Sequence, residues 1–146
     1  MKNIVLLFLL TLIFSNAIAQ VEIAAPEELQ PNEEDKILID SIIMVTGYED
    51  YFYNVGQMFI ERYAQLNKWN KNKTNETVSD LDFYYFKRNI YGLFAQYKSD
   101  ELRKIIYLFQ DLNKGNSSWK LVITDEMVES NLNLYLNAVI QGKYKK

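Results

Sequence analysis

Apolar residues recur at helical spacing in five stretches of this chain, with polar residues filling the opposite faces. Leu38, Ile42 and Val45 repeat at i, i+4, i+7; Asn32 stands before them as an N-cap, with Glu33, Glu34 and Asp35 in the first turn. Gly47 ends this helix, because it takes a left-handed conformation at no steric cost. Tyr48, Phe52, Val55, Phe59, Tyr63 and Leu66 keep the spacing for several turns and predict a longer second helix. The polar run 69–78 breaks the pattern and reads as an exposed connection. Ser79 then offers a cap, with Asp80 and Asp82 behind it, for a helix whose stripe is Phe83, Phe86, Ile90, Phe94 and Tyr97.

Ser99 offers the next cap, and Leu102, Ile105, Ile106, Phe109 and Leu112 form the cleanest amphipathic face in the chain, closed by Lys114-Gly115. The last stretch carries two patterns. Trp119, Val122, Ile123, Val128, Leu132, Tyr135 and Val139 are spaced as a helix, whereas 131–137 alternates like a strand. Helix is favoured, since a lone strand has no partner for its backbone. The fold expected is all-α, a compact antiparallel bundle of about five helices with short loops over residues 35–142.

The chain opens with Lys2, an apolar run over 4–14 and the small residues of Ala17-Ile18-Ala19, the pattern of an export signal occupying 1–19 and cleaved after Ala19. Ser15 and Asn16 stop the run short of the ~20 apolar residues of a membrane span, so no stable anchor is expected in the mature form. Residues 20–34, acidic and holding both Pro26 and Pro31, read as a flexible lead-in, and 143–146 as a basic tail. Loss of Lys2 takes the net charge from −3 to −4, a poor match to nucleic-acid phosphates. The setting implied is the periplasm or the exterior.

Histidine and cysteine are both absent. That removes Ser-His-Asp and Cys-His nucleophile systems, thiol lipidation, disulfides, and the ligand sets of most zinc, haem and copper sites, so neither a cofactor nor a metal is expected. Asp111, Asn113 and Gly115 open like a calcium loop, but the fifth position is glycine and the twelfth is Val122, which has no carboxylate. Carboxylate pairs such as Asp125 and Glu129, one turn apart, could in principle divide the acid and base work of a hydrolase, but two acids at that spacing are usually a solvated helix face. Gly56 and Gly92 fall inside predicted helices, at points of close helix approach or beside a gap that admits a ligand.

Two aromatic runs, Tyr51-Phe52-Tyr53 and Phe83-Tyr84-Tyr85-Phe86, cannot face one core, because neighbours on a helix point ~100° apart. Either these helices are buried on two sides, which tyrosine tolerates with its hydroxyl in water, or Tyr51, Tyr53, Tyr84 and Tyr85 are a candidate surface for a protein or apolar partner.

Leu38 to Thr46-Gly47, the Ile90-Tyr91 pair, Ser99-Asp100-Glu101-Leu102, Ile106, Phe109 and Gly115 together resemble the exported bacterial proteins grouped as domain of unknown function 2059. The family often has Ser-Pro before the glycine, where this chain has Leu112-Asn113-Lys114. The resemblance implies an exported, all-helical protein without assigned catalytic residues. The function expected is a non-enzymatic binding or interaction protein of the cell envelope; a carboxylate hydrolase and a structural or stress-related envelope component are the alternatives.

Overall fold

A computed structural model of the protein describes residues 30–115 and 120–144. The export signal, most of the lead-in, Trp119, Lys145 and Lys146 lie outside the described residues. Six helices are described: α1 Glu33–Thr46, α2 Tyr48–Leu66, α3 Lys71–Ser79, α4 Phe83–Phe94, α5 Ser99–Leu112 and α6 Glu126–Ile140. No strand occurs among the described residues, so 131–137 belongs to a helix despite its alternation.

Local chemistry sets the ends. Asn32 caps α1 through the Asp35 amide at 2.9 Å. Gly47 lies at φ 73°, ends α1 by donating its N–H to Ile43, and starts α2 one residue later, so two helices share a single left-handed joint. The cap of α4 is Asp82, not Ser79, which is the last residue of α3. Ser99 is already inside α5; Lys98 holds the cap position, its amide donating to the Glu101 carboxylate at 2.8 Å. Residues 120–125 are non-helical, so Val122 and Ile123 precede α6, which Asp125 caps through the Val128 amide.

Residues 69–78 are not a connection. Asn70 caps α3 by accepting from the Lys73 amide, and Lys73 sits 3.9 Å above the Trp69 ring. Nearly all of α3 is polar, with Thr77 alone buried, so it has no apolar stripe to announce it.

The core row of α2 also differs from the expected one. Tyr48, Phe52, Gly56, Ile60 and Ala64 are buried, while Val55, Phe59 and Tyr63 are half-buried and Leu66 is exposed. The buried row includes two small residues, which lower its hydrophobic signal and let neighbours come close. A Cβ on Gly56 would stand 2.9 Å from Leu81 Cδ1 and 3.3 Å from Leu136 Cδ2, so these side chains fill the space a ligand would need. Gly92 has nothing within 4 Å of its Cβ direction. Opposite signs are expected in denaturation curves. Gly92→Ala should stabilise by ~0.5–1 kcal/mol through helix propensity. Gly56→Ala should destabilise by ~1–2 kcal/mol, overpacking less the same gain. Destabilisation by both would refute the open setting of Gly92.

Paired contacts give the topology. Ile43 and Phe83 line one cleft and Asp40 meets Lys87, so α4 runs antiparallel to α1; Tyr85 meets Tyr135 and Asn89 meets Asn131, so it is antiparallel to α6 as well. Ser99 bonds Asp35 and Asn113 bonds the Val45 carbonyl, which sets α5 parallel to α1. The apolar centre is Ile39, Ile42, Phe52, Phe86, Ile90 and Leu136, drawn from α1, α2, α4 and α6. α5 adds Leu102 to that core, while Tyr97 beyond α4 and Leu112 at the end of α5 stay exposed, past the reach of the helices they were expected to pack on.

Candidate tyrosine groove

The stripe of α4 is complete without two of its aromatics. Phe83, Phe86, Ile90 and Phe94 are buried, and this turns Tyr84 and Tyr85 out of the core, 70% and 50% exposed. The Tyr84 ring meets Tyr85 edge-on at 6.0 Å. Tyr85 in turn lies 6.3 Å from Tyr135 of α6, nearly parallel to it, and 4.9 Å from Tyr144. Tyr135 and Tyr144 are 5.0 Å apart.

Two residues of this cluster escaped sequence reading for different reasons. Tyr135 is recognisable as core, and it is 8% exposed, but it also lines the groove beside Tyr85. Tyr144 falls beyond the expected domain boundary, in the tail. Gly142 at φ 70° donates to the Val139 carbonyl and Lys143 to that of Ala138, a turn that ends α6 and returns the chain so that Tyr144 packs on the two rings.

The four candidate tyrosines do not share one surface. Tyr53, 38% exposed, packs edge-on to Phe52. Tyr51 is half-buried against the core and near Glu129. Only Tyr84 and Tyr85 are joined to the α4–α6 cluster by direct ring contact.

Between α4 and α6 the cluster borders an open groove of about 440 Å³, continued by Asn89, Asn131, Leu134 and Ala138. Asn131 donates from Nδ2 to Asn89 Oδ1 at 3.0 Å. Each carboxamide keeps further hydrogen-bonding groups, and among the described residues no buried side-chain polar atom lacks a partner, so those groups reach solvent. Arg88 also lines the groove, and among the described residues no carboxylate does.

The carboxylate pair is engaged locally. Asp125 caps α6, and Glu129 accepts from Thr124 Oγ1 at 2.7 Å. In a second open cleft, between α1 and α4, Asp40 Oδ1 takes Lys87 at 2.7 Å and the Tyr91 hydroxyl at 2.8 Å, while Glu49, Asp50 and Lys120 also line it. Among the described residues no group of three His, Cys, Asp or Glu is placed to hold a metal, and no helix is long and apolar enough to cross a membrane.

Buried phenols serve as struts. Tyr48, fully buried, donates its hydroxyl to the Ile123 carbonyl and so ties 120–125 to α2. The Tyr135 hydroxyl accepts from the Asp82 amide at 2.9 Å, fixing the entry to α4. Burial raises the pKa of Tyr48, Tyr51, Tyr91 and Tyr135 above the ordinary 10.0. Up to that pH both folded and unfolded chains hold these protons, and above it the unfolded chain loses them first. Stability should therefore be unaffected by these groups below pH ~10 and fall as pH rises beyond it. Thermal melts across this range should show the decline. Tyr48→Phe should lower stability by ~1 kcal/mol at neutral pH for the lost hydrogen bond and make the alkaline fall shallower; an unchanged slope would contradict the buried setting.

No family model, curated protein or solved structure matches this chain.

Proposed function

We propose that this chain is an exported, non-enzymatic binding protein of the cell envelope or exterior, and that it engages its partner through the tyrosine face of α4 and α6. The observation that carries this reading is the exposure of Tyr84 and Tyr85 beside a helix whose core stripe is already complete. Large aromatic rings left in water and clustered at a groove supply contact area at low entropic cost, as binding surfaces do. Export is supported by Lys2, the apolar run 4–14 and Ala17-Ile18-Ala19, and by the resemblance to exported helical proteins of domain of unknown function 2059. The groove is open, so it suits an extended or macromolecular partner better than a small apolar ligand, which pockets bury by 70–90%.

The test is a double variant. Tyr84→Ala with Tyr85→Ala should change stability by about 1 kcal/mol or less, because Tyr84 is 70% and Tyr85 50% exposed and neither belongs to the buried core, yet should abolish capture of the partner that wild type retains from envelope extracts. Strong destabilisation would make the rings core, and unchanged stability with unchanged capture would make them ordinary surface.

A further inference from the structure

Tyr85 and Tyr144 are the nearest of the tyrosine pairs described on the α4–α6 face, their ring centroids 4.9 Å apart and their planes tilted by 53°. Backbone structure holds both residues in place. Tyr85 belongs to α4, and Tyr144 follows the turn at Gly142, in which Lys143 donates to the Ala138 carbonyl at 3.0 Å. Tyr85 is 50% exposed and Tyr144 half-buried, so both side chains meet solvent. Tyr135 is as near to Tyr144, at 5.0 Å, but it is 8% exposed, packs on Phe52 and accepts the Asp82 amide through its hydroxyl. Turning the edge of that ring toward a neighbour would break close core packing.

Two phenols in ring contact have a chemistry that a lone phenol lacks. Loss of one electron and the hydroxyl proton makes a tyrosine a phenoxyl radical, whose unpaired electron is shared by the two Cε carbons beside the oxygen-bearing carbon. When two such radicals meet, a Cε–Cε bond forms, the hydrogen on each of those carbons passes to its oxygen, and both phenols are restored as dityrosine. The rings of that product are twisted about the new bond, so a tilted pair stands nearer to it than a stacked one. A radical on Tyr85 already has its coupling partner in place, which replaces a bimolecular encounter by an intramolecular one.

We propose that Tyr85 and Tyr144 form a site of oxidative cross-linking, where a peroxide acting through a one-electron oxidant joins α4 to the segment that follows α6. The two electrons and two protons withdrawn from the phenols reduce one hydrogen peroxide to two waters. The chain has no cysteine, so no disulfide ties that segment down. The new bond closes the long loop 85–144 and narrows the unfolded ensemble, as a disulfide over such a loop does. The inference is independent of the binding reading above, since it concerns the chain alone and its test contains no partner.

The experiment treats the mature chain, at low concentration, with hydrogen peroxide and a haem peroxidase. Monomer recovered by size exclusion should show dityrosine fluorescence and, after proteolysis, a linked peptide pair that joins Tyr85 to Tyr144 and has lost two hydrogens. Tyr144→Phe keeps the ring but cannot form a phenoxyl, and should lower dityrosine in the monomer about tenfold or more, whereas Tyr107→Phe should leave it unchanged. The cross-linked monomer should melt about 5–10 °C above the untreated chain. Dityrosine confined to dimers, a monomer link between other tyrosines, or a yield that Tyr144→Phe leaves intact would overturn the assignment. A Tyr85–Tyr144 link that leaves the melting temperature where it was would overturn the tie.

Discussion

Replacing Phe52 with alanine is expected to cost about 3–5 kcal/mol, the range for deleting a buried aromatic ring. Phe52 has no exposed surface and touches three rings from two other helices: Phe86 stacked at 5.4 Å and Phe83 edge-on at 5.6 Å from α4, and Tyr135 at 5.7 Å from α6. Its removal opens a cavity where α2, α4 and α6 meet, and the surrounding rings are too rigid to collapse into it. Domains of this size are stable by only ~5–15 kcal/mol in total, so the melting temperature should fall by ~10 °C or more. A loss below ~1 kcal/mol in chemical denaturation would mean that these rings do not form the centre of the core.

Tyr135→Ala is expected to be nearly as costly, about 3–4 kcal/mol, for two separable reasons. The ring supports Phe52 from within and Tyr85 and Tyr144 from the groove side, and the hydroxyl takes the Asp82 amide at the start of α4. Tyr135→Phe keeps the ring and should cost only ~1 kcal/mol, the value of the hydrogen bond. Paired urea curves measure the difference. Equal losses in the two variants would assign the effect to the hydroxyl and would detach the groove from the core.

The pattern of apolar residues revealed five of the six helices because each buries branched or aromatic side chains at a regular spacing. α3 was hidden, since only Thr77 is buried in it and its order comes from the Asn70 cap and the seating of Lys73 on Trp69. The buried face of α2 was misplaced by one position because Gly56 and Ala64 carry little hydrophobic signal, although the smallness of Gly56 is what admits Leu81 and Leu136. The exposure of Tyr84 and Tyr85 followed from helix geometry, since a filled stripe leaves neighbours no room. The groove did not follow. It depends on α4 meeting α6 across 42 residues of sequence at Asn89 and Asn131, and on a turn at Gly142 that brings Tyr144 back. No local pattern encodes such a meeting, and single asparagines carry no sign of their partner.

Tyrosine footprinting addresses the binding face directly. The mature protein is nitrated alone and in the presence of envelope extract, and modification is read residue by residue by mass spectrometry. Tyr107 on α5, 67% exposed and away from the α4–α6 groove, serves as the internal reference for Tyr84 at 70%. The expected result is that extract protects Tyr84 and Tyr85 severalfold while Tyr107 reacts as before; Tyr84 and Tyr85 that react as fast in extract as alone, or a Tyr107 protected to the same degree, would contradict the assignment of this face.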